Sequence, residues 1–267
     1  MKKIFILALI SILSASLFAL EAKVISVSGK VQVQRGAAWV DLKPGDVIRK
    51  GEMIQTGFKS EAQISLTSSN QNSKLTVAPM SRLTIEQLAE NPKADKASVF
   101  VTTGSVKSEI KKTEDRRASY TVRGPVATAS VRGTIITVST GFDSVSLETA
   151  EGNAAFYETP ADAKAVAVSS AEDDKAFANL SETELNTNLY PAANGLTTSV
   201  KEGQSASVSG NQTVSVYDSA VSAVSVNSVT NNAASEELVV TAAGEADSVK
   251  ESPITVGKVV IKVRFAD

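Results

Sequence analysis

Gly45-Asp46-Val47-Ile48 is echoed six residues later by Gly51-Glu52-Met53-Ile54. Each unit sets a glycine and an acid ahead of two apolar residues. Glycine tolerates the left-handed backbone of a tight turn, and a short acidic side chain bonds back to nearby amides. The two apolar residues then begin a strand. Two turn-then-strand units so close together leave no room for a helix between them. Outward from this point the pattern stays at period two. Val24 to Ser28, Val31 to Gln34 and Trp39 to Leu42 precede it. Ala62–Thr67, Leu75–Val77, Arg82–Ile85, Val99–Thr102, Ser105–Ile110, Tyr120–Val122, Val131–Ser139 and Ser144–Leu147 follow. Ser68 to Ser73 reads as a loop tip, Asn91-Pro92-Lys93 as a break, and Thr140-Gly141-Phe142-Asp143 as a hairpin connection. Short strands at regular spacing predict an all-β fold, an antiparallel wrapped sheet or β-sandwich.

The chain has 267 residues, 42% of them hydrophobic, with a formal charge of −2. That is enough apolar material for a sizeable core, and the near-neutral balance argues against nucleic acid as a partner. Cysteine and histidine are both absent. Disulfides, thiolate and imidazole metal sites, the thiol nucleophile and the usual general base are thereby excluded. No calcium-loop or phosphate-loop pattern occurs. The reading is of a non-enzyme, with no catalytic residues, no metal and no cofactor. Ser108 and Lys111 match a Ser-x-x-Lys spacing, but in a strand context, where the chemistry needs a helix.

Lys2 and Lys3 followed by the apolar run Ile4–Leu20 read as a secretory signal peptide over 1–19. The run is short for a membrane span. Ala19 and Ala22 are the candidate cleavage positions. Cleavage at Ala19 would move the charge from −2 to about −4 by removing two lysines. The mature chain is expected to be exported, to the periplasm or cell envelope of a bacterium, with no stable membrane span. Composition shifts near Pro160: of thirteen aromatics only Phe177, Tyr190, Tyr217 and Phe265 lie beyond it. Residues 22–158 are read as one β domain and 159–267 as an Ala/Ser/Val-rich β extension, partly packed on the first. Within the extension, Ala161–Asn188 reads as a short helix or excursion, Thr197–Val216 as strands, and Val221–Val229 and Ile254–Phe265 as further strand candidates.

Three pieces in this order resemble the FecR domain family. The first runs from Gly29 through Trp39 and Leu42 to Gly57. The second is Ala62–Leu66 with Leu75–Leu83. The third is Tyr120–Thr134, with Gly124-Pro125 where the family usually has Thr-Pro. The resemblance covers about Ala22 to Phe156. It implies a β domain that senses or binds other envelope components. In one branch such domains sit in membrane-spanning regulators that handle a sigma factor. Only Met1 to Lys3 precede the apolar segment here, so the expectation is the exported stand-alone branch.

The candidate binding residues are Trp39, Arg132 and the basic stretch Lys111, Lys112, Arg116 and Arg117. Trp39 is the sole tryptophan, suited to stacking on a sugar or to an interface hot spot, but Val40 and Leu42 beside it favour a core or corner position. Arg132 in Arg132-Gly133-Thr134 could contact a partner, or fork onto a carboxylate such as Asp46 or Glu52 inside the sheet. The second role is favoured. The basic stretch could dock an anionic polymer or guard a sheet edge. Gly45, Asp46, Gly51, Glu52, Gly133 and Thr134 are read as structural. The resulting expectation is a non-catalytic binding or scaffolding protein that recognises an envelope protein. A cell-wall glycan module and the sensor part of a transmembrane signalling system are the alternatives.

Overall fold

The computed structural model describes residues 20–67, 72–111, 117–159, 163–188, 197–210 and 214–218. The described residues are all-β apart from two short helices. Its strands are β1 (Glu21–Ser28), β2 (Val31–Arg35), β3 (Ala38–Asp41), β4 (Val47–Ile48), β5 (Met53–Thr56), β6 (Glu61–Thr67), β7 (Asn72–Val77), β8 (Arg82–Asn91), β9 (Ala94–Glu109), β10 (Arg117–Arg123), β11 (Ala127–Val131), β12 (Ile135–Thr140), β13 (Ser144–Glu151), β14 (Asn153–Glu158), β15 (Thr198–Lys201), β16 (Gln204–Ser209) and β17 (Ser215–Asp218). The helices are α1 (Ala171–Ala178) and α2 (Glu182–Asn188).

Two sheets share β9. The front sheet runs β3-β2-β5-β8-β9-β10-β11-β14-β15. The back sheet runs β4-β1-β6-β7-β9-β12-β13-β16-β17. Residues 94–103 of β9 belong to the front sheet and 104–109 to the back, with Gly104 at φ +88° where the strand changes sheets. Inward residues of both sheets form one core, including Val33, Ile54, Ile64, Leu75, Leu83, Ile85, Val122 and Phe156. This is the sandwich expected from period-two patterning.

Three features differ from the sequence reading. The sheet is not wholly antiparallel, because β10 runs parallel to β9, with Arg117 opposite Ala94 and Arg123 opposite Phe100. Once β9 has crossed to the back sheet, the chain returns to the front at the end where β9 began, which is the crossover a parallel pair needs. Val99–Thr102 and Ser105–Ile110 are one strand, since Gly104 bends the chain without breaking the ladder. Val131–Ser139 is two strands, separated by a bend at 132–134 in which Gly133 has φ +75°. The strand candidates Val221–Val229 and Ile254–Phe265 lie outside the described residues, as does the leader 1–19. Among the described residues no helix is long and apolar enough to cross a membrane.

The connection from β14 to β15 carries both helices. Ser170 caps α1 through a reciprocal box with Asp173, and acids fill the first turn, where the helix dipole favours them. Helices this short are marginal alone. Phe177 and Leu185 therefore pack on Ala89 and Ala94 of the β8–β9 hairpin. The Asn91 amide, at the hairpin tip, donates to the carbonyls of Phe177 (3.0 Å), Ala178 (3.1 Å) and Leu180 (3.1 Å). It closes the end of α1, where carbonyls lack helical partners.

Candidate binding surfaces

Both glycine–acid units fold in the same way. Asp46 Oδ2 accepts from the Lys43 amide and Glu52 Oε2 from the Arg49 amide, each at 2.9 Å, with Gly45 at φ +92° and Gly51 at φ +84°. Glu52 also pairs with Arg35 at 3.3 Å. Arg132 does not sit inside the sheet. It is exposed in the bend after β11, because the chain leaves the ladder at Val131 and Gly133 turns it. The adjoining Thr134 is buried, its hydroxyl donating to the Asn153 carbonyl and its own carbonyl accepting from Ile110. Lys111 is exposed one residue beyond Ile110, so Lys111 and Arg132 share the end of the sandwich remote from Gly104. Arg117 lies there too, on the front sheet, 3.6 Å from Glu182. Lys112 and Arg116 lie outside the described residues. Ser108 is fully buried and donates to the Tyr120 hydroxyl at 3.2 Å, and burial pushes the Tyr120 phenol well above its usual range. Lys111, three residues on, is exposed, so the pair is not a nucleophile and base.

Trp39 is 37% exposed on β3, the edge of the front sheet. Beside it a row of side chains crosses four strands. The guanidinium of Arg82 donates to Gln55 Oε1 (3.1 Å), Gln55 to Gln32 Oε1 (3.4 Å), and Gln32 to Asp41 (2.9 Å). An open hollow of about 370 Å³ lies on this row, bounded by Lys30 and Met80.

The end of the sandwich at Gly104 carries a feature that the sequence analysis missed. Its turns sit side by side: the Met80 amide donates to Gly57 O (3.2 Å), Ser81 Oγ to Ser105 O (3.1 Å), and Ser139 Oγ to Ser105 Oγ (2.9 Å). From these turns project Phe58 (77% exposed), Met80 (62%) and Phe142 (100%). The available signal was a bulky apolar residue inside a turn sequence: Gly57-Phe58, Pro79-Met80 and Gly141-Phe142.

A second missed feature is the ion pair of Glu86 and Arg123, at 3.0 Å. Glu86 is 1% exposed. It also accepts from Ser98 Oγ (2.8 Å) and the Ala167 amide (2.8 Å), while Arg123 donates to the carbonyls of Ala163 and Ala165. A buried charge held by this many partners is satisfied, and here it fastens the strap 163–169 across the front sheet. Lys50 adds an ion pair to Asp174, and Lys93 one to Glu182 at 2.5 Å. Among the described residues no cluster of three or more acidic side chains has metal-binding geometry.

Residues 52–155 match the family model described as FecR protein. This stretch of the chain is similar to a FecR domain. The match runs from β5 almost to the end of β14, so the strap, the helices and β15–β17 lie beyond it. No curated protein matches the sequence. Two crystal structures of a putative anti-sigma factor from Parabacteroides distasonis ATCC 8503, at 2.50 and 1.65 Å resolution, are similar with a TM-score of 0.39 and 9% identity. In each case the similarity covers 62% of this chain and 59% of that one.

Proposed function

We propose that this FecR-domain protein is an exported, non-catalytic binding or scaffolding component of the cell envelope that recognises a protein partner. The observation that carries the reading is the row of exposed apolar tips at the Gly104 end. Phe58, Met80 and Phe142 stand on turns locked by hydrogen bonds, so their display costs little ordering entropy on binding. Large apolar groups displayed on ordered turns suit the anchoring role in a protein interface. The leader-like segment 1–19 supports export, and the family supports a regulatory rather than enzymatic role.

Site-specific photo-crosslinking in cells tests this. A crosslinker placed at Phe58 and at Phe142 should capture the same envelope protein, and one placed at Arg132, at the opposite end, should not. Phe58→Asp should remove the adduct formed from position 142. Different proteins at the two tips, or equal capture from position 132, would sink the reading.

A further inference from the structure

The row Asp41–Gln32–Gln55–Arg82 is a chain of donors that runs from a cation to an anion. We infer that this row, with Trp39 beside it, is a binding strip for an acidic saccharide, one bearing carboxylates along a pyranose chain. The amides are oriented by the row itself: each glutamine spends one N–H and one oxygen lone pair on its neighbours. A second N–H and a second lone pair of each remain for a ligand. The amides repeat at the strand spacing of about 4.8 Å, which suits groups repeated along an extended saccharide chain rather than one small ion.

Two charges set the sign of the ligand. Lys30 and Arg82 border the hollow, and neither has an ion-pair partner among the described residues. A small inorganic anion would need them to converge on one point. They flank the neutral amides instead, Lys30 at the start of β2 and Arg82 at the start of β8, with β5 between these strands. Asp41, the negative end of the row, is tied to Gln32 at the outer edge. Trp39 and Asp41 alternate along β3, so both point to the outer face about 7 Å apart, and the indole flanks the amide row one step along the strands. An indole beside a polar row offers an apolar platform for one ring while its neighbour bonds to the amides. The strap and helices do not cover this part of the sheet: their fastenings are Lys50, Glu86, Gln87, Asn91, Lys93 and Arg123. The strip adjoins the apolar tips at two residues that wall the hollow, Met80 and Gly57, the latter beside Phe58.

Trp39 is the sole tryptophan, so its fluorescence reads the strip directly. The purified protein is titrated with tetragalacturonate, with neutral maltotetraose and with tetraglutamate peptide, followed by emission and by calorimetry. Tetragalacturonate should shift the emission and bind at least roughly tenfold more tightly than either other probe. Arg82→Gln and Gln55→Ala, both surface changes checked for folding by circular dichroism, should each weaken it by roughly tenfold, as loss of a charge-assisted bond or of an amide pair would. Arg132→Gln, at the other end, should leave it unchanged. No response to tetragalacturonate, or an equal one to maltotetraose, overturns the assignment. Tighter binding of tetraglutamate also overturns it, and makes the strip a peptide site.

Discussion

Ser81 fills the space that a β-carbon on Gly104 would need. A methyl group built there would overlap the Ser81 hydroxyl, Cα and Cβ at once. In return the Ser81 hydroxyl accepts from the Ser105 amide at 2.8 Å. The same device recurs at the start of the domain, where Ser60 abuts Gly29 and accepts from the Lys30 amide at 2.8 Å. In both copies the residue before the serine, Lys59 or Met80, has a positive φ, which is uncommon outside glycine. The sandwich is thus keyed twice, serine into glycine, at the end that displays the apolar tips.

Gly104→Ala should therefore cost more than conformation. The positive φ alone costs about 1–2 kcal/mol for a residue with a β-carbon. Gly36, with φ +61° and no atom near its would-be β-carbon, bears only that cost. In urea unfolding, Gly104→Ala should lose clearly more stability than Gly36→Ala. Equal losses would mean that the keyed serine yields, and that the fit is not a constraint.

Glu86→Gln should both destabilise the protein and loosen its strap. Removing one partner of a buried ion pair costs about 3–5 kcal/mol, because the other charge is left uncompensated. The strap depends on the same carboxylate through the Ala167 amide. Hydrogen exchange should accelerate at Ala167 and Ser169 before it does in β6 or β12. Protection unchanged at Ala167 would show that Arg123 and Lys50 hold the strap without Glu86.

The all-β architecture was legible because period-two patterning and turn chemistry act locally. The hairpin at Thr140–Asp143 and the break at Asn91–Lys93 needed nothing else. The parallel pair of β9 with β10 was not legible: it depends on Gly104 carrying one strand into two sheets, and a glycine within a strand pattern looks like any turn. Arg132 was the more conspicuous arginine, set in Arg-Gly-Thr between apolar residues. Arg123, which bonds Glu86 inside the sheet, was not singled out, because Glu86 lies 37 residues away and becomes its neighbour only through β8–β9–β10 pairing. The sequence favoured a core or corner position for Trp39, because Val40 and Leu42 flank it, and the structure exposes it instead. Its placement on an edge strand, where no further strand supplies cover among the described residues, decided its exposure.

Acid should free the helical segment before it unfolds the sandwich. Hydrogen bonds from the Ser170 amide and hydroxyl hold the Asp173 carboxyl below its usual range. Bonds from Lys93 do the same for Glu182, and bonds from the Ser181 hydroxyl and amide for Glu184. Carboxyls depressed in the folded state stabilise it above their unfolded pKa, about 4, and that contribution disappears as pH falls through the lower folded values. All three sit on or beside α1 and α2. Exchange protection in 171–185 should therefore fall between about pH 4 and pH 2 while that of β6, β8 and β12 persists. Simultaneous loss in both regions would show that helices and sandwich form one cooperative unit.

The mature protein should begin at Leu20 rather than Lys23. Both Ala19 and Ala22 end plausible cleavage sequences, but the fold separates them. Leu20 is buried in the core at 7% exposure and Ala22 is fully buried. Ala22 is paired on both sides, with Ile48 of β4 and Leu66 of β6, and Glu21 lies opposite Thr67. Cleavage after Ala22 would strip three residues from the start of the domain and expose Leu66 and Ile48. Deleting a buried leucine costs about 2–5 kcal/mol in a packed core. Intact-mass measurement of protein recovered from the cell envelope should give the chain from Leu20 to its end. A mass corresponding to a start at Lys23 would mean that the first turn of β1 is dispensable to the fold, and retention of 1–19 would remove the basis for export by cleavage.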